Sequence, residues 1–290
     1  MKGIVLAGGT GSRLQPMTTV VSKQLLPVYD KPLIYYPIST LMLAGIKDIL
    51  IISTPEDQKR YARLLEHLGD LGVNFTYVIQ EKPEGIAQAF ILGEKFLDGD
   101  DCTLILGDNL FFGHDLALLL REAIDSNDGA TVFGYRVSDP ERYGVVKFDG
   151  SGRAVDLVEK PEQSFSPYAV TGLYIYNNEV VNYAKLLAPS ARGELEITDI
   201  NKIFLKNGNL NVRILGRGFT WLDTGTPDSL LDASQFVQMI EKRQGLKVAC
   251  PEEIAWRNGW VKQEDMEIIA GNSHGDYAAY LRRIVTETTF

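Results

Sequence analysis

The first 135 residues alternate between short apolar runs and longer segments of mixed polarity. The run Lys2–Ala7 is short, apolar and followed by two glycines, which is typical of a strand buried on both faces. Segments of about ten or more residues with helical character separate such runs, so we predict right-handed βαβ units and a mostly parallel sheet. The predicted strands are Lys2–Ala7, Asp48–Ser53, Val73–Ile79, Thr103–Leu106 and Ala130–Tyr135, and the predicted helices are Pro32–Leu43, a helix that starts at Thr54, Ile86–Phe96 and His114–Ser126.

The pattern changes beyond residue 140. A Gly-rich turn at Asp149–Gly152 separates Val145–Phe148 from Ala154–Val158, which predicts a β-hairpin. The remaining predicted elements are the strands Val170–Tyr176 and Asn211–Leu215 and the helices Glu196–Lys206, Pro227–Arg243 and Tyr277–Val285. We therefore predict an α/β fold with a Rossmann-like, mostly parallel or mixed central sheet, helices on both faces, a β-hairpin and a helical C-terminal extension. The expected division is a body of residues 1–240 and an extension of residues 241–290.

The chain is acidic, with 29 Lys and Arg residues, 38 Asp and Glu residues and a net charge of −9. This balance argues against binding to nucleic acids or anionic membranes, which need a basic face. No apolar run approaches the roughly 20 residues of a membrane span, and the N-terminus lacks the apolar core of a secretory signal. Cys102 and Cys250 are too few for a disulfide framework, so a reducing cytoplasm is expected. The three histidines are scattered, which disfavours a hydrolase with a histidine base.

Glycines cluster directly after the first predicted strand, in the loop Gly8–Leu14. Such a loop lets backbone N–H groups approach a phosphate without obstruction by Cβ atoms, although it could also be a purely structural turn. A P-loop would continue with Lys and then Ser or Thr, and a dinucleotide fingerprint would have a third glycine at position 14, so both are disfavoured. Arg13 and Lys23 would suit a triphosphate and a leaving pyrophosphate, whereas the simpler alternative for Lys23 is a solvated surface lysine.

Two aspartates lie in turns of the predicted fold. Asp108 follows the strand Thr103–Leu106, at the sheet edge where ligands of open α/β folds bind. Asp223 lies in a second turn, in the segment Trp221–Gly225. Two carboxylates with no histidine nearby suit Mg²⁺, which prefers oxygen ligands and substrate phosphates. Taken singly, each aspartate could equally be a turn former or a helix cap.

Six segments spread over nearly the whole chain resemble, in the same order, the signatures of the sugar-phosphate nucleotidylyltransferases. They are Gly8–Thr18 with Ser22–Pro27, Gln80–Gly85, Leu106–Asn109, Val158–Pro161, Gly193–Asp199 and Trp221–Gly225. The resemblance is strongest to members that transfer a thymidylyl group from dTTP to α-D-glucose 1-phosphate, giving dTDP-glucose and pyrophosphate. It implies that residues 1–240 form the catalytic domain, that the hairpin belongs to the sugar site, and that the sugar phosphate attacks the α-phosphorus in line. No general base is then required, because the nucleophile is already an anion.

The resemblance also implies roles for individual residues of the nucleotide site. Two anions must be neutralised and positioned, and the implied catalytic residues are Arg13, Lys23 and Lys160. The implied ligands of a catalytic Mg²⁺ are Asp108 and Asp223. The thymine would be surrounded by Gln24, Gln80 and Gly85, and the full implied nucleotide-binding set is Gly8, Gly9, Thr10, Gly11, Arg13, Lys23, Gln24, Gln80, Gly85 and Asp108.

The implied sugar site centres on Lys160, which would bind the phosphate of glucose 1-phosphate. The other implied substrate-binding residues are Asn109, Tyr143, Gly144, Glu159, Val170, Glu194 and Trp221. Without the resemblance, Glu159 and Lys160 could be no more than the charged end of a strand. Aromatic side chains at such places are likewise often plain core residues.

The C-terminal extension carries Trp256 and Trp260, whose apolar surface is too large to leave in water. The extension is therefore expected to pack on the body or on another subunit. The resemblance implies a homotetramer with a regulatory dTDP-sugar site, and Arg217 and Arg257 are its candidate contacts. The open alternatives are a uridylyltransferase that uses the same sugar phosphate, a catalytically silent nucleotide-sugar sensor and, with little support, a Rossmann oxidoreductase.

Overall fold

The computed structural model describes residues 1–9 and 11–287 of the chain. Within these residues the strands are β1 (Lys2–Leu6), β2 (Pro27–Val28), β3 (Lys31–Pro32), β4 (Asp48–Ser53), β5 (Asn74–Ile79), β6 (Cys102–Leu106), β7 (Asn109–Phe112), β8 (Ala130–Arg136), β9 (Gly144–Phe148), β10 (Ala154–Glu159), β11 (Tyr168–Tyr176), β12 (Leu210–Leu215) and β13 (Thr220–Asp223). The α-helices are α1 (Tyr35–Leu43), α2 (Pro55–Leu65), α3 (Gln88–Leu92), α4 (Glu94–Leu97), α5 (Leu116–Asp125), α6 (Val180–Leu186), α7 (Ile197–Lys206), α8 (Pro227–Gln244), α9 (Pro251–Arg257), α10 (Gln263–Asn272) and α11 (Gly275–Thr286). Thr10, which the sequence places in the nucleotide site, lies outside the described residues.

Nine of these strands form one mixed sheet. Strands β5, β4, β1 and β6 lie side by side and run parallel, and β11 continues the sheet in the opposite direction beyond β6. The far edge of β11 pairs antiparallel with β8, which runs parallel to β12. The hairpin β9–β10 joins the first half of β11 at Ala169. The predicted α/β fold, with a mixed Rossmann-like sheet, a hairpin and C-terminal helices, is therefore confirmed.

Successive residues of the central strands enter two different cores, as the two-residue period of a strand requires. In β1, Val5 belongs to the core on one face and Ile4 to the core on the other, and Ile105 and Leu104 of β6 divide in the same way. All four side chains are fully buried. Because both the odd- and the even-numbered positions of these strands are apolar, both faces of the sheet must be covered. Helix α1 covers the first face, and α3 and α7 cover the second.

The helix predicted over Ile86–Phe96 is divided in the structure into α3 and α4. The division lies at Gly93, where a Cβ atom would come within 3.1 Å of the Leu50 side chain and 3.4 Å of the Ile4 side chain. The chain therefore approaches the sheet more closely at this glycine than a continuous helix with larger side chains would allow. Periodicity alone cannot reveal such a contact.

A second sheet of two strands, β7 and β13, is not predicted by the sequence pattern. The two strands pair antiparallel, with Asp223 opposite Asn109. Their pairing is strongly non-local, since the Trp221 indole bonds to an Asn109 side chain 112 positions earlier. This small sheet brings the turn at Asp223 next to the turn at Asp108.

The C-terminal extension packs on the body of its own chain. Trp256 and Trp260 are half-buried against the main core, and the Lys47 Nζ atom lies 4.8 Å from the centre of the Trp260 ring. The Asn258 side-chain amide donates to the backbone oxygen of Met42 at 2.9 Å. The extension contains two helices, α9 and α10, besides the one that the sequence pattern predicts. They have only seven and ten residues, too few for a clear helical period in the sequence.

Two expectations from composition concern the environment of the chain. Cys102 and Cys250 are both free and buried, and burial raises the pKa of each thiol above its ordinary value. Across residues 1–9 and 11–287, none of the helices combines the length and apolar character that crossing a membrane requires.

Candidate active site

An open cavity of about 730 Å³ lies where β1, β5 and β6 end, bordered by the hairpin β9–β10 and by β11. This is the edge at which open α/β sheets bind ligands, because the loops after the parallel strands leave a crevice there. The sequence-predicted residues that line the cavity are Gly8, Gly9, Gly11, Arg13, Lys23, Gln24, Gln80, Gly85, Asp108, Asn109, Tyr143, Gly144, Glu159, Lys160, Val170, Glu194, Trp221 and Asp223. The structure thus brings together residues from the whole body of the chain. Arg217 and Arg257 do not line this cavity and are exposed elsewhere.

The Gly-rich loop leaves β1 in conformations that favour glycine. The backbone φ angles of Gly9 and Gly11 are +101° and +57°, and Thr18 Oγ1 donates to the Gly11 oxygen at 2.8 Å. Leu14, at the end of the loop, is fully buried and anchors it to the body. Gly8, Gly9 and Gly11 line the cavity, and their lack of side chains lets a phosphate approach the backbone there.

Glycine is needed at position 8 for a different reason than at Gly9 and Gly11. A Cβ atom at this position would lie 2.1 Å from the Gln80 side-chain oxygen. The absence of a side chain at position 8 therefore makes room for Gln80 at the cavity wall. The sequence indicates a phosphate loop here but not this contact between two loops.

Asp108 is held by partners on three sides. Its carboxylate accepts a hydrogen bond from the Lys23 ammonium group and another from Asn109 Nδ2 at 2.8 Å. Its backbone oxygen accepts from Thr224 Oγ1 at 2.9 Å, which ties the turn after β6 to the turn after β13. Lys23 is thus not a solvated surface residue, because only 11% of its side chain is exposed.

Asp223 lies close enough to Asp108 for their charges to interact. Burial, followed by the negative charge of Asp108, raises the pKa of Asp223 to about 6, while Lys23, Arg142 and Arg13 act in the opposite direction. The backbone of Gly225 is bordered by both the Asp223 carboxylate and the Arg13 guanidinium, since a Cβ atom there would lie 3.4 Å and 3.6 Å from them. The turn after β13 therefore places a carboxylate beside Arg13 of the Gly-rich loop.

The pair of aspartates fits a divalent cation. Two crowded carboxylates repel each other, and a hard dication that prefers oxygen ligands would relieve this repulsion. The described residues contain no group of three or more His, Cys, Asp or Glu side chains arranged around a metal. A cation held by this pair would therefore need oxygens from water or from a phosphate substrate to complete its shell.

Two buried glutamines lie at the end of the cavity away from the hairpin, each 4% exposed. The Gln24 side-chain oxygen accepts from Ser22 Oγ at 2.8 Å, while the Gln80 side-chain nitrogen donates to Gln88 Oε1 at 2.6 Å. Among the described residues, neither the Gln24 nitrogen nor the Gln80 oxygen has a hydrogen-bond partner. One glutamine thus offers a donor to the cavity and the other offers an acceptor.

Glu159 and Lys160 end the hairpin at the opposite end of the cavity. Thr198 Oγ1 donates to Glu159 Oε2 at 2.5 Å, and Lys160 Nζ lies 3.8 Å from Glu159 Oε1. Lys160 has a φ of +41°, and its backbone N–H donates to the Tyr143 oxygen at 3.0 Å. With 41% of its side chain exposed, the ammonium group is free to meet an anion in the cavity.

Arg192 organises the carboxylates on this side, and the sequence analysis missed it. Its guanidinium donates to Glu194 at 2.5 Å and to Glu196 at 3.2 Å and lies 3.9 Å from Glu159. The side chain does not itself line the cavity. Its position one residue before the segment Gly193–Asp199 carries no signal of this role. The sequence analysis also missed the cavity-lining Thr198 and Arg142.

An amide and two aromatic rings form the floor between the two ends. Trp221 Nε1 donates to Asn109 Oδ1 at 2.6 Å, and the Gly172 N–H donates to the same oxygen at 3.1 Å. The Tyr143 ring packs edge-on to Trp221 with ring centres 5.0 Å apart. Because the Asn109 nitrogen faces Asp108, both ends of this amide are engaged within the protein.

The family model described as nucleotidyl transferase matches residues 2–239. The chain belongs to the nucleotidyl transferase family. Proteins named glucose-1-phosphate thymidylyltransferase are among its relatives. The one from Neisseria meningitidis serogroup A is 54% identical over 286 residues, which cover 98% of this chain and 99% of that protein. The one from Mycolicibacterium smegmatis is 55% identical over 266 residues, which cover 92% of each.

Solved structures of nucleotidyl transferases share the fold. A candidate glucose-1-phosphate thymidylyltransferase from Bacillus anthracis, solved with sucrose, matches with a TM-score of 0.75 at 44% identity, over 81% of this chain and 94% of that one. A UDP-glucose pyrophosphorylase solved with UDP-glucose matches with a TM-score of 0.72 at 25% identity, over 82% and 98%. The resemblance read from the six sequence segments is therefore confirmed. Members of the nucleotidyl transferase family generally use a divalent metal.

Proposed function

We propose that this nucleotidyl transferase is a glucose-1-phosphate thymidylyltransferase, which converts dTTP and α-D-glucose 1-phosphate into dTDP-glucose and pyrophosphate. The observation that carries the proposal is the 54% identity, over nearly the full length of both chains, to an enzyme of that name. The cavity supports it, because a phosphate loop, a pair of aspartates and a lysine on the hairpin face one space.

The chemistry follows from the charges around the cavity. A sugar-phosphate oxygen attacks the α-phosphorus in line and pyrophosphate leaves, so the protein must overcome the repulsion between two anions. We assign Arg13 and Lys23 to the triphosphate and Lys160 to the sugar phosphate. None of the described residues that line the cavity is a histidine, in keeping with a nucleophile that needs no deprotonation.

We assign Asp108 and Asp223 to a Mg²⁺ ion. When bound, the ion would supply positive charge at the phosphates and screen the nucleophile from the triphosphate. Lys23 and Asn109 would hold the Asp108 carboxylate in place, and Arg13 would stand beside Asp223. Asn109 would thus act on the substrate indirectly, by holding Asp108 and Trp221 in place through its side-chain hydrogen bonds to them.

We assign the pyrimidine to the end of the cavity that holds Gln24 and Gln80. A thymine edge presents carbonyl oxygens, which accept, and an N3–H group, which donates. The free Gln24 nitrogen suits a carbonyl oxygen and the free Gln80 oxygen suits N3–H. Gly85 closes this end of the cavity, because the loop that carries it pairs with the loop of Leu195 through the Leu195 N–H and the Glu84 oxygen at 2.7 Å.

The hexose is assigned to the space between the hairpin and α7. Glu159 and Glu194 offer acceptors for sugar hydroxyl groups, and Arg192 holds both carboxylates. Gly144 and Val170 leave room for the ring, while Tyr143 and Trp221 present aromatic faces. This combination of carboxylates and aromatic rings is suited to a polyhydroxylated ring with apolar faces.

Replacing Gly85 by alanine is expected to lower both the stability and the affinity for dTTP. The residue has a φ of +105°, and a Cβ atom would lie 2.4 Å from the Leu195 oxygen. Such a backbone conformation costs about 1–3 kcal/mol in other residues, and the overlap adds to this cost. The melting temperature and the KM for dTTP measure the effect. Gly150→Ala is the matched control, since no atom of the described part of the chain lies within 4 Å of a Cβ atom there. Equal behaviour of the two variants would contradict the assigned position of the loop.

The substrate assignment is tested by pyrophosphate release with glucose 1-phosphate and each of dTTP, UTP, CTP, ATP and GTP. We expect dTTP to give the highest kcat/KM. A preference for UTP would favour the uridylyltransferase, which the 25% identity to a UDP-glucose pyrophosphorylase supports less than the 54% identity to a thymidylyltransferase. Release with none of the five nucleotides would leave the catalytically silent sensor.

We further propose a homotetramer with a regulatory dTDP-sugar site outside the catalytic cavity, built with the extension of residues 241–290. Trp256 and Trp260 do not support assembly, because they pack on the body of their own chain. The support comes from exposed apolar side chains: Ile268 of the extension is 61% exposed, and Leu231 and Met239, on α8 just before the extension, are each 56% exposed. Arg217 and Arg257 are exposed cations for a sugar nucleotide. Light scattering that gives a monomeric mass with full activity would overturn the assembly.

The two unpaired, buried cysteines support a reducing compartment, which we propose to be the cytoplasm.

A further inference from the structure

Two side chains outside the predicted site form a relay behind Gln80. The Gln80 nitrogen donates to Gln88 Oε1 at 2.6 Å, and Gln88 Nε2 in turn donates to Glu84 Oε2 at 2.7 Å. The Glu84 backbone N–H donates to the same Gln88 oxygen at 3.2 Å. Gln88 is half-buried at the start of α3, and Glu84 is exposed at the outer end of the relay. The relay thus connects the surface to the buried Gln80 amide.

The chemistry of its members gives the relay a direction. An amide can present either its donor or its acceptor end, but a carboxylate accepts only and a backbone N–H donates only. The Glu84 carboxylate therefore requires the nitrogen of Gln88, and the Glu84 N–H requires its oxygen. Both constraints select the same orientation of the Gln88 amide.

The direction is passed on to Gln80. Because Gln88 offers an oxygen, Gln80 meets it with its nitrogen. The Gln80 oxygen is left on the cavity side, next to Gly8, where a Cβ atom would lie 2.1 Å from it. With the Gln80 amide reversed, its oxygen would face the Gln88 oxygen and a donor would point into the cavity. A partly buried pair of facing oxygens is unfavourable, so the relay stabilises the acceptor orientation.

The orientation distinguishes pyrimidines by the hydrogen at N3. Thymine and uracil carry N3–H, which donates to an oxygen, whereas N3 of cytosine is an acceptor and would oppose that oxygen. We propose that Gln88 and Glu84 are positioning residues that hold the Gln80 amide as an acceptor and so make the site reject cytosine nucleotides. This inference rests on the proposed function, because it takes the base to lie against Gln80.

The test compares kcat/KM for dTTP and dCTP in three forms of the full chain: the wild type, Gln88→Leu and a double variant. Gln88→Leu removes the relay and frees the Gln80 amide to reverse, and we expect the dTTP/dCTP ratio to fall about five- to tenfold or more, the loss associated with one hydrogen bond. The double variant Glu84→Gln/Gln88→Glu exchanges the carboxylate and the amide between positions 84 and 88. The carboxylate at position 88 then accepts from Gln80, the orientation is kept, and most of the ratio should return.

A role limited to folding would behave differently. It would lower kcat/KM for both nucleotides alike, so an unchanged ratio in Gln88→Leu would overturn the proposal, as would a double variant no better than Gln88→Leu. The KM for glucose 1-phosphate should stay unchanged in all three forms. A wild-type preference for UTP over dTTP would refute the thymidylyl assignment, and the relay would then be judged on UTP against CTP, since uracil also carries N3–H.

Discussion

Asp108→Asn and Asp223→Asn are each expected to lower kcat by about 10²-fold or more with glucose 1-phosphate and dTTP, because each change removes a negative ligand of the proposed metal ion. Asparagine keeps the size and shape of both side chains, so the fold should survive. In Asp223→Asn the neutral side chain also ends the repulsion from Asp108 that helps to raise the Asp223 pKa to about 6. Its melting temperature without metal should therefore be no lower than that of the wild type. Pyrophosphate release and thermal unfolding measure the two effects.

The double variant Asp108→Asn/Asp223→Asn tests whether the two aspartates share one metal site or act independently. Either substitution disrupts the same metal site, so the losses of Asp108→Asn and Asp223→Asn should not add. Asp232→Asn, an exposed residue on α8, is the matched control and should retain full activity. Full activity of either site variant with magnesium would remove that aspartate from the metal site, and strictly additive losses would argue for separate roles.

Lys160→Ala is expected to lower kcat/KM for glucose 1-phosphate by about ten- to hundredfold, the effect of losing a charge-assisted contact of about 1.5–3 kcal/mol. Among the residues that the structure describes, its Nζ atom has one loose partner, Glu159 Oε1 at 3.8 Å, and 41% of the side chain is exposed. Alanine shares the unfavourable φ of +41° at this position, so the substitution leaves the backbone constraint unchanged. Initial rates at varied glucose 1-phosphate and varied dTTP measure the effect.

The two substrates should respond unequally to this change. The KM for dTTP should change far less than that for glucose 1-phosphate, because Arg13 and Lys23, which we assign to the triphosphate, are unchanged. Lys147→Ala, an exposed lysine on β9 of the same hairpin, is the matched control and should behave as the wild type. An equal loss for both substrates would contradict the assignment of Lys160 to the sugar phosphate.

The strand–helix alternation was predictable because it depends on local periodicity. The strand Asp48–Ser53 has the predicted bounds. Strands β1 and β6 carry apolar side chains on both faces, as a sheet covered on both sides requires. The pairing of β7 with β13 was not predictable, since each strand has only four residues and its partner lies more than a hundred positions away. The division of the helix at Gly93 likewise depends on a contact with the sheet.

Most of the candidate site could be read from the sequence, because its residues stand in contiguous segments such as the loop after β1 and the turn at Asp108. The residues that support them could not. Arg192, Gln88 and Glu84 act through side chains whose partners become visible only in three dimensions. Arginine, glutamine and glutamate at an exposed or half-buried position carry no signal of their own, since such residues are common on any protein surface.

The amino-acid sequence by itself determined the alternating elements, the family and the residue types suited to phosphates and a divalent metal, because these depend on local pattern and on side-chain chemistry. Only the tertiary structure decided which of these residues share one cavity, that Asp223 stands beside Asp108, and that the tryptophans of the extension pack on their own chain. It also decided which end of the Gln80 amide faces the cavity. The physical reason is that a charge interaction or a hydrogen bond requires distance and direction, and both are set by non-local strand pairing and loop contacts.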